Sequence, residues 1–240
     1  VQNYKVDDYL AGNVYIDGKP VNAVYAWEFT GLDPKTGFAT FKGCSSNEDE
    51  VEKSDDPATY LKYVGPADPR FNGGLSSSLR WKNLTLSAQF AFGFGNYKRL
   101  NFIFEGDNKM PSPQTNMTKE MLGRWKQEGD QSMIPGLNFS DSNDYMICTP
   151  DRSASWKNTY TMYNYSDARI VKGDFFRCRN LMLSYAVPYQ FLRHMGVTAV
   201  SLGFNVTNPF TLCSSRFNGQ DPEVSNTGSV ALPITQAYSL

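Results

Sequence analysis

The feature that most constrains this chain is a strict two-residue alternation. From Leu84 the even positions read Leu84, Leu86, Ala88, Phe90, Phe92 and Phe94, while the odd positions read Thr85, Ser87, Gln89, Ala91, Gly93 and Gly95. Successive side chains of a strand point to opposite faces, so this stretch is a strand with one wholly apolar face and one polar or small face. Ordinary strands average about 5–6 residues, whereas a strand crossing a bilayer needs about 9–11. This stretch has the longer measure. The device recurs in Val200, Leu202, Phe204 and Val206 against Ser201, Gly203, Asn205 and Thr207, and in Leu181, Leu183, Tyr185 and Val187 against Met182, Ser184 and Ala186. Near the start, Ala23, Tyr25, Trp27 and Phe29 alternate less cleanly with Val24, Ala26 and Glu28.

The connections between these stretches are unequal. The run from Leu75 to Trp81 stops at Lys82-Asn83 and the Leu84 strand starts at once, which is a tight hairpin. Val187 and Val197 are joined by Pro188-Tyr189-Gln190-Phe191-Leu192-Arg193-His194-Met195-Gly196, about one helical turn closed by a glycine. On the opposite side the linkers are long. Residues 43–67 carry an acidic cluster (Glu48, Asp49, Glu50, Glu52, Asp55, Asp56), residues 96–170 are rich in polar and aromatic side chains, and residues 208–232 hold Gly219, Pro222 and Gly228. In the longest linker, Met117, Met121, Leu122 and Trp125 fall at helical spacing and stop at Gly129, which predicts one short amphipathic helix. Loops beyond about 12–15 residues are uncommon in compact domains unless they are functional.

Short turns at one end, long loops at the other and long alternating strands between them are what an outer-membrane barrel requires. In hydrocarbon every backbone N–H and C=O must be paired across strands, the lipid side must be apolar, and the lumen side is free to be wet. A soluble β-sandwich shares the alternation, because one strand face packs on a core and the other meets water. Strand length and loop asymmetry favour an all-β fold: an antiparallel, up-and-down transmembrane β-barrel segment with long extracellular loops and one short loop helix. The discriminating question is whether the Phe90-Phe92-Phe94 side meets lipid or lies beneath a second layer of the same molecule. A soluble carbohydrate-binding β-sandwich and a surface adhesin module stay open as alternatives.

Composition closes other routes. Lys and Arg total 23 against 24 Asp and Glu, a net charge of −1 with no basic stripe, so phosphate-driven nucleic-acid binding does not fit. No run approaches the roughly 18 consecutive apolar residues of a membrane helix. His194 is the sole histidine, which excludes any site needing two imidazoles. Cys44, Cys148, Cys178 and Cys213 are too scattered for a zinc finger or a C-x-x-C redox motif. Gly93-Phe94-Gly95 ends a strand and opens no helix, so it is no dinucleotide loop. The acidic cluster at 48–56 departs from the order of an EF-hand loop and reads as a solvated loop. No catalytic constellation, metal site or cofactor site emerges, and the chain reads as a non-enzyme.

A family resemblance rests on ordered motifs. Gly18-Lys-Pro-Val-Asn-Ala leads to Gly31-Leu-Asp-Pro-Lys-Thr-Gly37; Tyr63-Val-Gly-Pro-Ala-Asp-Pro69 leads to Phe71-Asn-Gly-Gly74; and Leu122-Gly-Arg-Trp125 precedes Gly129-Asp130 and Pro135. The fullest match is Ser166-Asp-Ala-Arg-Ile-Val-Lys-Gly-Asp-Phe-Phe-Arg-Cys-Arg-Asn-Leu-Met-Leu-Ser-Tyr-Ala-Val-Pro188, followed by Asn205-Val-Thr-Asn-Pro-Phe210 and Gly219-Gln-Asp-Pro-Glu223. Over residues 15–240 this order resembles the C-terminal barrel of SusC/RagA-type TonB-dependent outer-membrane transporters. The resemblance implies a single partial domain over residues 1–240, part of a barrel of about 22 strands whose lumen is plugged. It implies import of a bulky nutrient, an oligosaccharide or a peptide, with a SusD-like lipoprotein as extracellular lid and TonB–ExbB–ExbD engaged through other parts of the protein. Neither a plug nor a TonB-contacting segment can be assigned to any residue of this sequence. The chain opens at Val1 without an initiator Met or signal peptide, which reads as a mature or excised piece, and it stops at Tyr238-Ser-Leu240 where the family's final strand should begin.

With Lys82-Asn83 in the periplasm, strand directions close consistently, and residues 96–170 and 208–232 lie outside; the hairpin around Asp33-Pro34 is left unoriented. The lipid-facing set is then Leu84, Leu86, Phe90, Phe92, Phe94, Leu183, Tyr185, Val200, Leu202 and Phe204. Trp81 reads as an interfacial anchor or a sugar-stacking ring. Trp125, Trp156, Tyr160, Tyr163 and Tyr165 of the longest loop are candidates for gripping substrate or the lid, or for packing within the loop; Phe210 and Phe217 carry the same ambiguity. On uninterrupted alternation Arg177 and Arg179 share the face of Leu181, Leu183 and Tyr185 and belong at the outer rim, snorkelling toward lipid phosphates. A bulge near Asn180 would instead turn both into the lumen. Placed at the rim, Arg177→Leu is expected to leave uptake largely intact.

Overall fold

A computed structural model describes residues 4–45, 56–104, 114, 116–137, 145–146, 157–224 and 232–240. Its strands are β1 (Ala23–Trp27), β2 (Phe29–Leu32), β3 (Ala39–Phe41), β4 (Leu61–Pro66), β5 (Phe71–Trp81), β6 (Leu84–Phe94), β7 (Tyr97–Arg99), β8 (Tyr145–Met146), β9 (Lys157–Asn158), β10 (Ile170–Lys172), β11 (Phe175–Ala186), β12 (Ser201–Cys213) and β13 (Ala237–Ser239). No helix among the described residues is long and apolar enough to cross a membrane, which leaves strand-built crossings untouched. The described residues divide into two compact units, one mainly from 4–67 and 97–170, the other from 68–96, 171–224 and 232–240.

The second unit is one antiparallel sheet in the order β13-β12-β11-β6-β5. Strands β5 and β6 have 11 residues each, β11 has 12 and β12 has 13, so the four long strands have membrane-crossing length. Their turns at one end are short, as the sequence predicts. Lys82 takes the left-handed conformation (φ 52°) in a two-residue turn between Trp81 and Leu84, which pair directly. Asn83 then ties this turn to the end of β11, its side-chain amide donating to the Ala186 carbonyl and its own carbonyl accepting from the Ala186 N–H, both at 2.8 Å. Between β11 and β12 a helical turn, Tyr189–Leu192, runs into a 3-10 turn, Arg193–Met195, and stops at Gly196 in the left-handed region. A side chain at that φ is strained, which is why glycine closes it.

The first unit has its own core. Tyr9, Tyr25, Trp27, Phe41, Tyr160 and Tyr163 are all buried in it, with Val14, Met121 and Met162 filling the gaps. Ring pairs order that core: Tyr9 meets Tyr25 edge-on at 4.9 Å, Trp27 stacks on Tyr60 at 5.4 Å, and Phe104 meets Tyr160 edge-on at 5.4 Å. β1 pairs with β4, and β2 with β3 through the Asp33–Gly37 turn. The Asp33 carboxylate accepts the N–H groups of Lys35 and Thr36, and the Lys35 bond above all holds it below the usual carboxylate range. Gly37 sits at φ 71° with the Trp125 ring so close that a Cβ there would lie 2.2 Å from it.

The short helix predicted over 117–129 is only a 3-10 turn, Lys119–Gly123. Arg124 is already extended, because the Trp125 N–H leaves the helical ladder for the Ile134 carbonyl at 2.9 Å while its ring wedges beside Gly37 and Gly136. Cys44 is disulfide-bonded; Cys178 and Cys213 are free thiols.

Candidate functional site

The register of the five-stranded sheet assembles two faces from the alternation. Pairing puts Trp81 opposite Leu84, Leu79 opposite Leu86, Leu75 opposite Phe90 and Phe71 opposite Phe94. Across β6 and β11, Leu84 meets Tyr185, Leu86 meets Leu183, Phe90 meets Cys178 and Phe92 meets Phe176. On β12 the series continues as Leu202, Phe204, Val206, Phe210 and Leu212, and Tyr238 of β13 pairs with Val206. These members are apolar or amphipathic, and the small residues Gly73 and Ser77 share their face. The opposite face carries Asn72, Ser76, Ser78, Thr85, Ser87, Gln89, Ser184, Asn205 and Thr207. Two glycines of β5 and β6 are covered by rings from the neighbouring strand: Gly73 lies under Phe92 and Gly93 under Phe175.

Among the described residues much of the apolar face is open, although Cys178 and Val206 are buried. Leu79 is 67% exposed, Trp81 68% and Leu202 63%, and Phe71, Phe94, Leu183, Tyr185 and Phe204 are exposed as well. Among the described residues the sheet's unit contains no second sheet to cover Phe90, Phe92 and Phe94. Of the lipid-facing set, Val200 precedes β12, which begins at Ser201, and accepts the Val187 N–H at the strand's base.

The two arginines correct the uninterrupted alternation. The register slips between Cys178 and Asn180 against both neighbours, leaving Arg179 without a partner residue. A bulge shifts parity by one, so the apolar face passes from Leu181 to Cys178 and Phe176 while Arg177 moves to the polar face beside Ala91 and Thr211. On β12 the slip is absorbed by Asn208 and Pro209, with Asn208 in the left-handed region at φ 52° and its side-chain amide donating to the Thr235 carbonyl. Arg177 is therefore not a snorkelling rim residue. Its side chain is 2% exposed and pairs with Asp221 (2.5 Å) and Glu223 (2.5 Å), and Arg179 pairs with Glu223 from the solvent side. Burial raises the Asp221 carboxyl. The Arg177 bond, the N–H groups of Glu223 and Ile234 and the Arg177 charge together outweigh it, so the group ends below the usual range.

Asp221 and Glu223 were not singled out as charge partners by sequence reasoning. They stand 44 residues from Arg177 and Arg179, and only the Gly219-Gln-Asp-Pro-Glu223 motif marked them. A cavity of about 450 Å³ opens beside the cluster, with Asn208, Ser215 and Gln236 among its walls.

For three of the loop aromatics the structure favours packing over contact with substrate or lid. Trp125 and Tyr163 are buried, Tyr160 is 1% exposed with its hydroxyl donating to the Pro135 carbonyl at 2.6 Å, and Tyr163 packs edge-on against Phe29. Rings spent on the core have no face left for substrate or lid. Burial of Tyr160 pushes its phenol well above the ordinary range. Half-buried Tyr165 takes the Arg99 guanidinium over its ring at 4.7 Å, and burial lowers that guanidinium to about 10. Trp156, and all the acidic cluster at 48–56 except Asp56, lie outside the described residues. Asp56 caps the Pro57–Thr59 turn through the Ala58 N–H. Phe217 is buried and Phe210 exposed. His194 is exposed in the short turn before Gly196, and no group of three or more His, Cys, Asp or Glu side chains converges among the described residues.

A long-stranded sheet, apolar on one face and polar on the other, with short turns at one end, defines a transmembrane barrel wall. Comparison with known proteins agrees in fold. The chain is 22% identical to a chain of the RagAB peptide transporter, with a TM-score of 0.64 over 99% of this chain and 24% of that one. The RagAB peptide importer in its closed-closed state gives a TM-score of 0.60 at 22% identity, over 90% of this chain and 22% of that one. In sequence, TonB-dependent receptor P3 of Formosa agariphila is 23% identical over 218 residues, which is 87% of this chain and 19% of the receptor. The chain thus spans about a fifth of the length of that relative. No family profile matches. The fold is that of the RagA barrel, and the resemblance to SusC/RagA-type transporters read from the motifs stands.

Proposed function

We propose that this chain forms part of the barrel wall and loops of an outer-membrane, TonB-dependent transporter of the SusC/RagA type. The whole protein imports a bulky nutrient, an oligosaccharide or a peptide, beneath a SusD-like lipoprotein and is energised by TonB–ExbB–ExbD. The observation that carries this reading is the apolar face, largely uncovered among the described residues, that runs across five strands and is backed by a polar one. Apolar area left in water forgoes about 25 cal/mol per Å², which hydrocarbon recovers and a solvated surface does not. A soluble sandwich would need a second layer on those rings. Trp81, exposed at the base of the apolar face next to the short turn, suits the aromatic girdle, and Leu84 to Phe94 suits the lipid band. The Cys44 disulfide fits an exported protein.

Two measurements test the proposal. The full-length protein should fractionate with the outer membrane and migrate as a heat-modifiable band; recovery from the soluble fraction without detergent would overturn it. A deletion strain should lose growth on one substrate class from a panel of oligosaccharides and peptides. Unchanged growth on the whole panel would reject import.

A further inference from the structure

The short-turn end of the five-stranded sheet carries cations and large apolar side chains but no acid. From Leu75 to Gly93 and from Asn180 to Gln220 the sequence holds no Asp or Glu. The described acidic side chains of this unit, Asp68, Asp174, Asp221 and Glu223, all belong to the opposite end: Asp68 and Asp174 precede β5 and β11, and the other two meet Arg177. The last row of the apolar face before the turns is Trp81, Leu84, Tyr185 and Leu202, in register across four strands. Trp81, Tyr185 and Leu202 are exposed and Leu84 is half-buried. In the first turn Lys82 brings its Nζ over the Trp81 ring, 5.2 Å from the centroid, which sets an ammonium at the edge of that row. Arg80 stands on the polar face and donates to the Lys82 carbonyl instead. The second turn is closed by the Val187 N–H on the Val200 carbonyl at 2.9 Å and by the Phe191 N–H on the Pro188 carbonyl at 3.0 Å. Among its longer apolar side chains Leu192 is buried, whereas Tyr189, Phe191 and Met195 are 63–73% exposed, with the exposed Arg193 and His194 among them.

Resting on the membrane reading above, which puts these turns on the periplasmic side, we infer that this end of the sheet is a docking surface for anionic glycerophospholipid of the periplasmic leaflet. Lys82 and Arg193 meet the phosphates, and Tyr189, Phe191 and Met195 lie among the glycerol and upper acyl carbons, one layer beyond the row from Trp81 to Leu202. Charge and continuity select this occupant. An end with cations and no acidic side chain of its own unit attracts an anionic surface and holds nothing to repel it. The exposed rings extend the apolar face past the strand ends, into the zone where amphipathic rings and basic side chains settle between hydrocarbon and water. A soluble anion would use the cations and leave three large apolar side chains in water. A second copy docked by the same end would set cation against cation.

The test uses the full-length transporter with the photoreactive residue p-benzoylphenylalanine in place of Phe191, reconstituted in vesicles of phosphatidylcholine with phosphatidylglycerol as the minor component. After illumination, mass spectrometry identifies the lipid attached at that position. Each basic residue near an anionic lipid surface contributes enough that two together should enrich phosphatidylglycerol adducts about thirtyfold over that lipid's share of the mixture. K82Q/R193Q should return the adducts to the ratio of the mixture, and inorganic phosphate should lower the enrichment no more than chloride of equal ionic strength. A second variant, Tyr189→Ser/Met195→Ser, should cut the yield of both lipid adducts while keeping the anionic preference. Adducts in the ratio of the mixture before any cation is removed, enrichment that survives K82Q/R193Q, and enrichment abolished by phosphate but not by chloride would each overturn the surface. So would a yield unmoved by the serine variant, or cross-links to a second copy of the chain in place of lipid. If the protein carries the heat-modifiable signature of an assembled barrel yet its adducts follow the mixture, this inference alone falls; if it never enters the vesicles, the parent reading falls with it.

Discussion

Replacing Arg177 by leucine removes the cation of a buried cluster and leaves two carboxylates behind. The Asp221 side chain is 5% exposed and that of Glu223 16%, so neither can recover full hydration. Breaking a buried pair from one side costs about 3–5 kcal/mol. Here the lower end applies, because Asp221 keeps the N–H groups of Glu223 (2.9 Å) and Ile234 (3.1 Å) and Glu223 keeps Arg179. About 3 kcal/mol corresponds to roughly a hundredfold rise in the open population of the connection after β12. Amide hydrogen exchange at Glu223 and Ile234 in the detergent-solubilised full-length protein reads that population directly. Both should exchange roughly a hundredfold faster in Arg177→Leu. Arg179→Leu, on the solvent side of the cluster, should change them less than about fivefold. The triple variant Arg177→Leu/Asp221→Asn/Glu223→Gln should recover much of the protection, since it strands no charge. The pH dependence has a definite sign. The folded Asp221 carboxyl lies below its ordinary value, so its contribution is complete above the ordinary carboxylate range and fades as pH falls through the folded value. Exchange in Arg177→Leu within about threefold of the unaltered protein, with the barrel assembled, would refute the buried-cluster reasoning.

Two further outcomes follow from the faces and the turn. Leu183→Arg, on the apolar face mid-strand, should destabilise the assembled barrel by about 2–4 kcal/mol, read as a lower temperature for loss of the heat-modifiable band, while Ser184→Arg on the opposite face should shift it far less. Gly37→Ala should destabilise the first unit by about 1–3 kcal/mol, because it combines a left-handed φ with a Cβ driven into the Trp125 ring; a protease-sensitivity assay should show earlier cleavage.

Much of the sheet is legible because alternation is a local signal: β6, the two-residue turn at Lys82-Asn83 and the helical turn closed by Gly196 are all read from neighbours in sequence. The buried aromatics were not. Trp125, Tyr160 and Tyr163 sit in a linker rich in polar and aromatic residues, for which packing within the loop and contact with substrate or lid both stand as readings, and the partners that enclose them come from distant segments: Gly37 for Trp125, Phe29 for Tyr163 and Phe104 for Tyr160. Helical spacing at Met117–Trp125 failed for the same reason, since a tertiary hydrogen bond to Ile134 took the Trp125 N–H out of the helical ladder.

The bulge shows where parity reasoning stops. Period-two alternation assigns a face only while every residue has a partner, and one unpaired residue inverts every assignment beyond it. Had β11 stayed regular, Arg177 and Arg179 would stand on the apolar face, each costing about 2–4 kcal/mol near the membrane midplane and less toward its edge. With the bulge at Arg179, the positions reaching that face are Cys178 and Phe176, and the Phe176 ring stacks on Phe90 at 5.2 Å. The signs were present in the sequence but separated: two arginines flanking a cysteine in an otherwise apolar series, an Asn-Pro pair on the strand that follows, and two carboxylates further on. Only the pairing of β11 with β12 shows that they solve one problem together, keeping charge off the apolar face by spending it on a buried ion cluster.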